Sequence, residues 1–319
     1  MKKNSKERIL LIVFALVFIA LSFLSPDKFL TVTNIRSMAF QLPEFGILTL
    51  AMMVPILTGG INLSLVTAAT LGGVVSATVM ASLYKQNWNE TLIIMIAVLT
   101  SMAASVLCGI INGYVVSYIG AAAMMATLGT STLFEGIGLY ISKGNSISGF
   151  PAAFHWIGNG TVCGVPVPMI VFGLVAVVTW LLLEKTAWGQ SVYMVGCNRK
   201  AASFSGLNVN RIMMKVYMYS GFLGSLAMLI MMSRYNSARV DYGSSYLMQA
   251  VAASVLGGTM ITGGYGKVGG VVIAVAILQI ISSGFNIFGL DRNLTTVING
   301  VILIGVLTLN FLNEYRKSR

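Results

Sequence analysis

Two acidic side chains stand inside long apolar runs of this sequence, Glu44 directly after Pro43 and Glu135 between Phe134 and Gly136. Ionisable groups at membrane depth are what a proton- or sodium-coupled carrier works through. One functional reading is therefore an ion-coupled secondary transporter of a small polar solute using Glu44 or Glu135. The remaining polar groups in these runs are uncharged. Thr58-Gly59-Gly60-Ile61-Asn62-Leu63-Ser64 interrupts two apolar stretches, and irregular backbone at that depth is tolerated where it is buried or lines a cavity. Asn62 and Ser64 suit a neutral polyol, because they hydrogen-bond without demanding charge. The same residues also read as a tight turn in which Asn62 or Ser64 caps the next helix. Thr127-Leu128-Gly129-Thr130 and the glycines from Gly257 to Gly266 carry the same pair of readings, path lining or close helix packing. Asn62, Ser64, Thr127 and Glu135 are the candidate translocation-path residues.

Catalysis finds no footing. No glycine-rich loop runs into a Lys-Ser/Thr pair, so the chain has no cradle of its own for ATP. His155 is the single histidine, and no carboxylate pair falls at helical spacing. Without a nucleophile near a base there is no catalytic residue to name. Cys108, Cys163 and Cys197 lack the spacing of metal ligands or of a disulfide framework, so neither a metal nor a cofactor is expected on this chain.

The elements that must position these residues are membrane helices. The chain is 56% hydrophobic and 9% charged, with a mean hydropathy of +0.85, far from the roughly one-quarter charged residues of a soluble domain. At about 20 apolar residues per crossing, ten spans are expected: Ile9 to Ser25, then runs near Phe40–Leu57, Leu63–Leu83, Leu92–Val116, Met124–Ile141, Val167–Leu183, Ile212–Met232, Leu247–Ile261, Val268–Phe288 and Leu294–Leu312. The basic start MKKNSKER precedes a nearly full-length span that ends in Pro26-Asp27-Lys28 without a small-residue cleavage site, which reads as an uncleaved first helix. The expectation is an all-α polytopic membrane protein, a single transmembrane domain over residues 1–319, with two weakly related halves. The halves rest on Ala68-Ala69-Thr70-Leu71-Gly72-Gly73 and Ala252-Ala253-Ser254-Val255-Leu256-Gly257-Gly258.

Charge orients the spans. The net charge is +11, but the basic residues are spread through short loops and tails, as the positive-inside rule requires and nucleic-acid binding does not. With the N-terminus inside, thirteen of the 20 basic residues fall on the cytosolic side, together with the C-terminus and the stretch 184–215. That stretch, EKTAWGQSVYMVGCNRKAASFSGLNVNRIMMK, is the longest polar interruption of the second half. It carries Lys185, Arg199, Lys200, Arg211 and Lys215 against Glu184, and offers a short helical surface at Ala201-Ala202-Ser203-Phe204. A structured cytosolic loop of this kind is expected to dock another protein. The outer segment from Ser142 to Pro166, with His155 and Trp156, reads either as a cap or partner contact or as a solvated connection with an interfacial tryptophan.

Four motifs in order give the chain a family resemblance. Gly59-Gly60-Ile61-Asn62-Leu63-Ser64 matches a Gly-Gly-Ile-Asp-Leu-Ser turn, and Thr127 to Thr130 a Thr-Leu-Gly-Thr helix start. Thr186, Gly189, Gly196, Asn198, Ala201, Ala202, Ser205 and Gly206 match a cytosolic Thr-x-x-Gly…Gly-x-Asn-x-x-Ala-Ala…Ser-Gly pattern. Ala252, Ala253, Val255, Leu256, Gly257, Gly258, Gly263, Gly264 and Gly266 match a late small-residue pattern. From about Leu30 to Leu312 the chain resembles the permease subunits of bacterial ABC importers for simple sugars, the ribose/xylose/galactose group. The resemblance implies a ten-helix permease of the bacterial inner membrane, a second permease copy or paralogue, a cytosolic ATPase with two nucleotide-binding domains, and an extracytoplasmic solute-binding protein. It implies that ATP is used by the partner subunit and that the eight residues from Thr186 to Gly206 contact it. Asn62 for the usual Asp, Val66 for a Gly, Ala121 to Ala123 for a Pro, and Glu135 for a more common basic residue depart from the pattern and suit one half of a heteromeric pair.

Overall fold

The computed structural model describes residues 5–289 and, beyond them, Leu294, Val297, Ile298, Gly300 and Val301. The expected last span, Leu294–Leu312, lies largely outside the described residues. Within residues 5–289 thirteen helices follow one another: α1 (Ser5–Leu24), α2 (Pro26–Phe29), α3 (Val32–Leu57), α4 (Leu65–Lys85), α5 (Glu90–Tyr114), α6 (Ala123–Ser142), α7 (Ala152–Asn159), α8 (Val167–Lys185), α9 (Ala187–Cys197), α10 (Arg199–Phe204), α11 (Val209–Tyr235), α12 (Tyr246–Leu256) and α13 (Val268–Ile287). A π-helical turn, Val115–Ile119, extends α5. Two short antiparallel ladders complete the list, β1 (Ile147–Ser148) with β4 (Ser237–Ala238) and β2 (Thr161–Val162) with β3 (Val165–Pro166).

Among the described residues seven helices are long and apolar enough to cross a membrane: α1, α3, α4, α5 with its π turn, α8, α11 and α13. The all-α polytopic reading holds at this level. Two expected spans differ. Met124–Ile141 is a helix of the right length, α6, but its threonines, glycines and Glu135 keep it out of the seven. The run near Leu247–Ile261 gives an 11-residue α12, about 16 Å at 1.5 Å per residue and only half a crossing. It stops because Gly257 and Gly258 open an irregular segment.

The centre of the bundle is α3, whose residues from Pro43 to Leu57 are all buried. The apolar run is expected to begin near Phe40; the helix instead begins at Val32, where the Thr31 hydroxyl accepts from the Asn34 N–H, and it runs through Pro43. Neighbouring membrane helices satisfy the backbone that an interior proline frees. Against α3 pack α11, α12, α8 and α13, while α4 and α5 pair with each other and with α11. The α5–α11 crossing is nearly backbone to backbone: a Cβ on Gly109 would lie 3.0 Å from the Tyr217 carbonyl carbon, and one on Gly221 would strike the Ser105 carbonyl. Close approach at small residues replaces the missing hydrophobic drive between helices in lipid.

The two ends of the bundle differ. At one end α7 lies on α11, where the Ser233 hydroxyl donates to the Phe154 carbonyl (2.6 Å) and accepts from the Gly158 N–H (2.7 Å). His155 reaches the Ser233 carbonyl at 3.2 Å, β1 joins β4, and Trp156 stands out, 56% exposed. The segment 142–166 is thus an ordered cover on α11. At the other end lie α9, α10 and the connections 58–64, 120–123 and 257–267. The start of α1 belongs to this end too, since Glu7 pairs with Lys267 at 2.9 Å.

Candidate functional site

Asn62 and Ser64 occupy the connection between α3 and α4, and neither caps α4: Ser64 holds the cap position with no side-chain cap bond. Their side chains turn inward instead. The Thr130 hydroxyl on α6 donates to Asn112 Oδ1 on α5, and Asn112 Nδ2 donates to Ser64 Oγ at 2.7 Å. Ser64 Oγ donates to Asn62 Oδ1 at 3.0 Å, and Asn62 Nδ2 donates to Ser220 Oγ on α11 at 3.3 Å. Thr127 Oγ1 accepts from the Leu63 N–H at 3.0 Å and lies 3.1 Å from the Ile61 carbonyl. All six side chains are buried. A chain of donors and acceptors this complete satisfies polar groups that would be costly to bury alone. It joins three helices, α5, α6 and α11, to the 58–64 connection.

The structure therefore brings Asn62, Ser64 and Thr127 together and adds Asn112, Thr130 and Ser220, which the motif reading passed over. The available signal was Asn112, an amide directly after the apolar run Leu107–Ile111. Glu135 is elsewhere. It is exposed on α6 and lines a shallow pocket with Leu139, Asn145, Arg239 and Asp241 at the α7 end of the molecule. Glu44 is fully buried but not free: Arg234 Nη1 donates to its Oε1 at 3.0 Å and to the Phe40 carbonyl at 3.1 Å. The Tyr235 hydroxyl donates to Oε2 at 3.4 Å, and the guanidinium sits 5.0 Å from the Tyr235 ring centre. A carboxylate bound this way ties α3 to α11, and the two acids do not form one relay.

At the opposite end, α9 and α10 place the residues of the cytosolic-loop pattern, and most have architectural positions. Thr186 caps α9 by accepting from the Gly189 N–H (3.2 Å), and Gly189 is pressed on the Leu182 and Leu183 carbonyls. Asn198 caps α10 by accepting from the Ala201 N–H (3.0 Å). Ala202 is buried in the core cluster. Ser205 donates back to the Ala201 carbonyl, and Gly206 turns the chain at φ +82°, a conformation glycine adopts freely. Gly196 faces inward rather than outward. Every residue from Asn198 to Gly206 except Ala202 faces solvent, and Phe204 stands out at 92% exposed. Phe204 was visible in the sequence as an aromatic in a basic loop. On α9 the Tyr193 hydroxyl donates to the Gly266 carbonyl at 2.9 Å. Burial, then the nearby Glu184 carboxylate and Tyr265, push its phenol up to about 12, so it remains a donor at neutral pH.

Between these regions lies a cavity of about 510 Å³, walled by Thr58–Ile61, Gly120–Met124, Val195–Arg199, Ile261 and Thr262. Four connections converge on it, and among the described residues Arg199 is its only charged wall residue. A bundle of apolar helices with a buried polar network, a half-length α12 and a cavity at one end is the architecture of a membrane transport protein.

The comparisons agree with that class. Residues 34–307 match the model of the family described as branched-chain amino acid transport system / permease component, and the chain belongs to that family. It is 36% identical over 297 residues to the ribose import permease of Bacillus subtilis (strain 168), covering 92% of this chain and 89% of the relative. It is 33% identical over 294 residues to the ribose import permease of Escherichia coli (strain K12), 91% and 89% of the two chains. With the autoinducer 2 import system permease of Yersinia enterocolitica it shares 31% over 293 residues, 89% and 86% of the two. No solved structure matches. These relatives bear out the resemblance to sugar-import permeases, and the chain is a multi-pass inner-membrane protein. The family description names one solute and the relatives name others, so membership identifies the permease rather than its cargo.

Proposed function

We propose that this chain is the membrane-spanning permease subunit of an ATP-driven, binding-protein-dependent importer that moves a simple sugar or sugar-like solute into the cytoplasm by alternating access. The observation that carries the reading is the end of the molecule built by α9 and α10: capped helices, basic side chains and one bare aromatic, Phe204, in a chain aligned along nine-tenths of its length with ribose import permeases. On this reading residues 184–215 and both termini are cytosolic, and ATP is bound and hydrolysed by a partner ATPase with two nucleotide-binding domains. A second permease, identical or paralogous, and an extracytoplasmic solute-binding protein complete the assembly.

The solute path runs from the pocket at Glu135 to the 510 Å³ cavity, with Asn62, Ser64 and Thr127 fixing the shape of its inner wall through the buried network. Thr186, Gly189, Gly196, Asn198, Ala201, Ala202, Ser205 and Gly206 form the docking segment, most of them by holding α9 and α10 in shape, with Lys200, Ser203 and Phe204 supplying surface. Affinity purification of the chain from its native membrane in mild detergent tests the reading. A co-purifying ATPase and binding protein are the expected result, and a second permease in the eluate decides between homodimer and heterodimer. A chain that comes down alone, without ATPase activity, overturns it.

A further inference from the structure

Gly196 ends the docking helix α9 at a place with no spare volume. A methyl group there would collide with the Leu57 carbonyl at the end of α3 and with the Gly264 nitrogen in the α12–α13 connection. The Gly264 N–H itself donates to the Leu57 carbonyl at 2.8 Å. Gly263, at φ +89°, is equally confined: a Cβ would lie 2.7 Å from the Gly59 nitrogen and 3.0 Å from the Gly196 carbonyl oxygen. Three backbone segments from distant parts of the sequence thus touch without side chains between them. Beside this point, the Tyr193 hydroxyl holds the Gly266 carbonyl and Cys197 Sγ approaches the Gly264 carbonyl at 3.8 Å.

A contact between backbones is stiff, because no side chain can change rotamer to absorb a displacement. The segment joined here to α9 continues within a few residues into Gly59, Gly60 and Ile61 of the cavity wall, and then into Asn62 of the buried network. Behind that wall the Tyr217 hydroxyl is fully buried and has no hydrogen-bond partner among the described residues. It ends 3.1 Å from the position a Gly60 Cβ would take. A buried hydroxyl without a partner disfavours the arrangement that holds it, so a shift of the 58–61 segment that gives it a partner or water is a relieving one.

We propose that Gly196, Gly263 and Gly264 form a side-chain-free joint that carries movement of the docking segment to the 58–62 wall of the inner cavity. Gly196 is on this account a positioning residue for transport and makes no contact with the ATPase. The inference rests on the permease reading above and adds the route by which that docking reaches the path. Contiguity alone does not demonstrate coupling, so the test reads movement at the far wall.

The complex is purified with its ATPase, carrying Cys163→Ser, Cys197→Ser and a reporter Ala122→Cys on the opposite wall of the cavity. Labelling of the reporter by a hydrophilic maleimide is measured with and without a non-hydrolysable ATP analogue. The expected result is a nucleotide-dependent change of at least fivefold. With Gly196→Ala added, the ATPase stays bound at the same stoichiometry but the change falls below about 1.5-fold. Tyr193→Phe, a milder loosening that keeps the glycines, reduces it two- to threefold. Gly129→Ala, where a Cβ meets nothing within 4 Å, leaves it intact. The proposal is overturned by a reporter that ignores nucleotide, by full response in Gly196→Ala, or by loss of the ATPase from a folded Gly196→Ala chain, which would make Gly196 a surface contact. Should Gly196→Ala fail to fold, an undiminished response in Tyr193→Phe overturns it. Recovery of no ATPase with the unmodified chain is a different failure, that of the permease reading itself.

Discussion

The buried network around Asn62 and the exposed segment around Phe204 invert each other. In the first, polar side chains sit in an apolar bundle and spend their donors and acceptors on one another, from Thr130 through Asn112, Ser64 and Asn62 to Ser220. In the second, polar side chains cap short helices and a large apolar one is left in the open. The difference bears on where function is sought. A polar residue in a membrane bundle that has all its partners contributes first to the bundle, and any role in passage is exercised through shape. An apolar residue held 92% exposed on a rigid, capped helix has its stabilising contact still to make. The network holds the molecule together; on the proposed permease reading the aromatic is offered to the ATPase.

The strongest attack on this contrast is Asn112→Ala, which strips a partner from both Ser64 and Thr130. Ser64 keeps its bond to Asn62 and Thr130 its bond to the Thr127 carbonyl, so two lost buried hydrogen bonds and a small void cost about 2–4 kcal/mol, measured as a fall in Tm in detergent; a loss under about 1 kcal/mol would mean the network is not holding the bundle. Glu44→Gln is next. The amide keeps one hydrogen bond to Arg234 but loses the charge, and because Arg234 reaches partly to solvent the cost is about 1–3 kcal/mol, below that of a fully buried pair. Solute uptake in this variant is expected to persist and to resist an uncoupler. Uptake abolished by Glu44→Gln, in a wild type that an uncoupler also stops, favours the ion-coupled carrier instead.

Phe204→Ser sharpens the comparison from the other side. Thermal stability is expected to move by less than about 0.5 kcal/mol, while ATPase affinity falls at least tenfold, about 1.4 kcal/mol. Equal retention of the ATPase on the two chains removes Phe204 from the interface. Ala202→Glu is a poor substitute for this test, since Ala202 is buried and the variant would disturb the fold. The smallest effect is alkaline. The Tyr193 phenol is raised in the folded protein, so its contribution is present below its unfolded value near 10 and is lost as pH rises toward 12. Wild type is expected to lose stability relative to Tyr193→Phe across that window, by under about 1 kcal/mol because the group is partly solvated. A constant difference between pH 9 and 12 would place the hydroxyl in water.

Much of this molecule was legible as sequence because hydropathy acts locally. A stretch such as Val268 to Ile287 is apolar whatever surrounds it, and seven such stretches became long helices. The failures came where a local rule has two tertiary outcomes. The apolar run opens near Phe40, yet α3 starts at Val32 and runs through Pro43, since helix bonds and packed neighbours set its bounds rather than hydropathy. The run from Leu247 to Ile261 has the hydropathy of a span, but its glycines are used for contact and α12 stops at 11 residues. Motif spacing marked the 186–206 segment and the short helical surface at 201–204, but not that Thr186 and Asn198 would serve as helix caps and Ala202 as core, because caps and burial depend on where the helices begin and what they pack against.

The sequence by itself determined that the chain is a membrane protein, that its interior is uncharged apart from isolated acids, and that a basic, glycine-punctuated segment interrupts the second half. These are properties of composition and spacing, which each stretch carries alone. Only the tertiary structure decided that Asn62, Asn112, Thr130 and Ser220 are one network, that Glu44 belongs to Arg234, and that Gly59, Gly196 and Gly264 meet. Residues 18 to 190 positions apart in the chain become hydrogen-bonded neighbours only when helices cross, and partner, burial and clearance are set at those crossings.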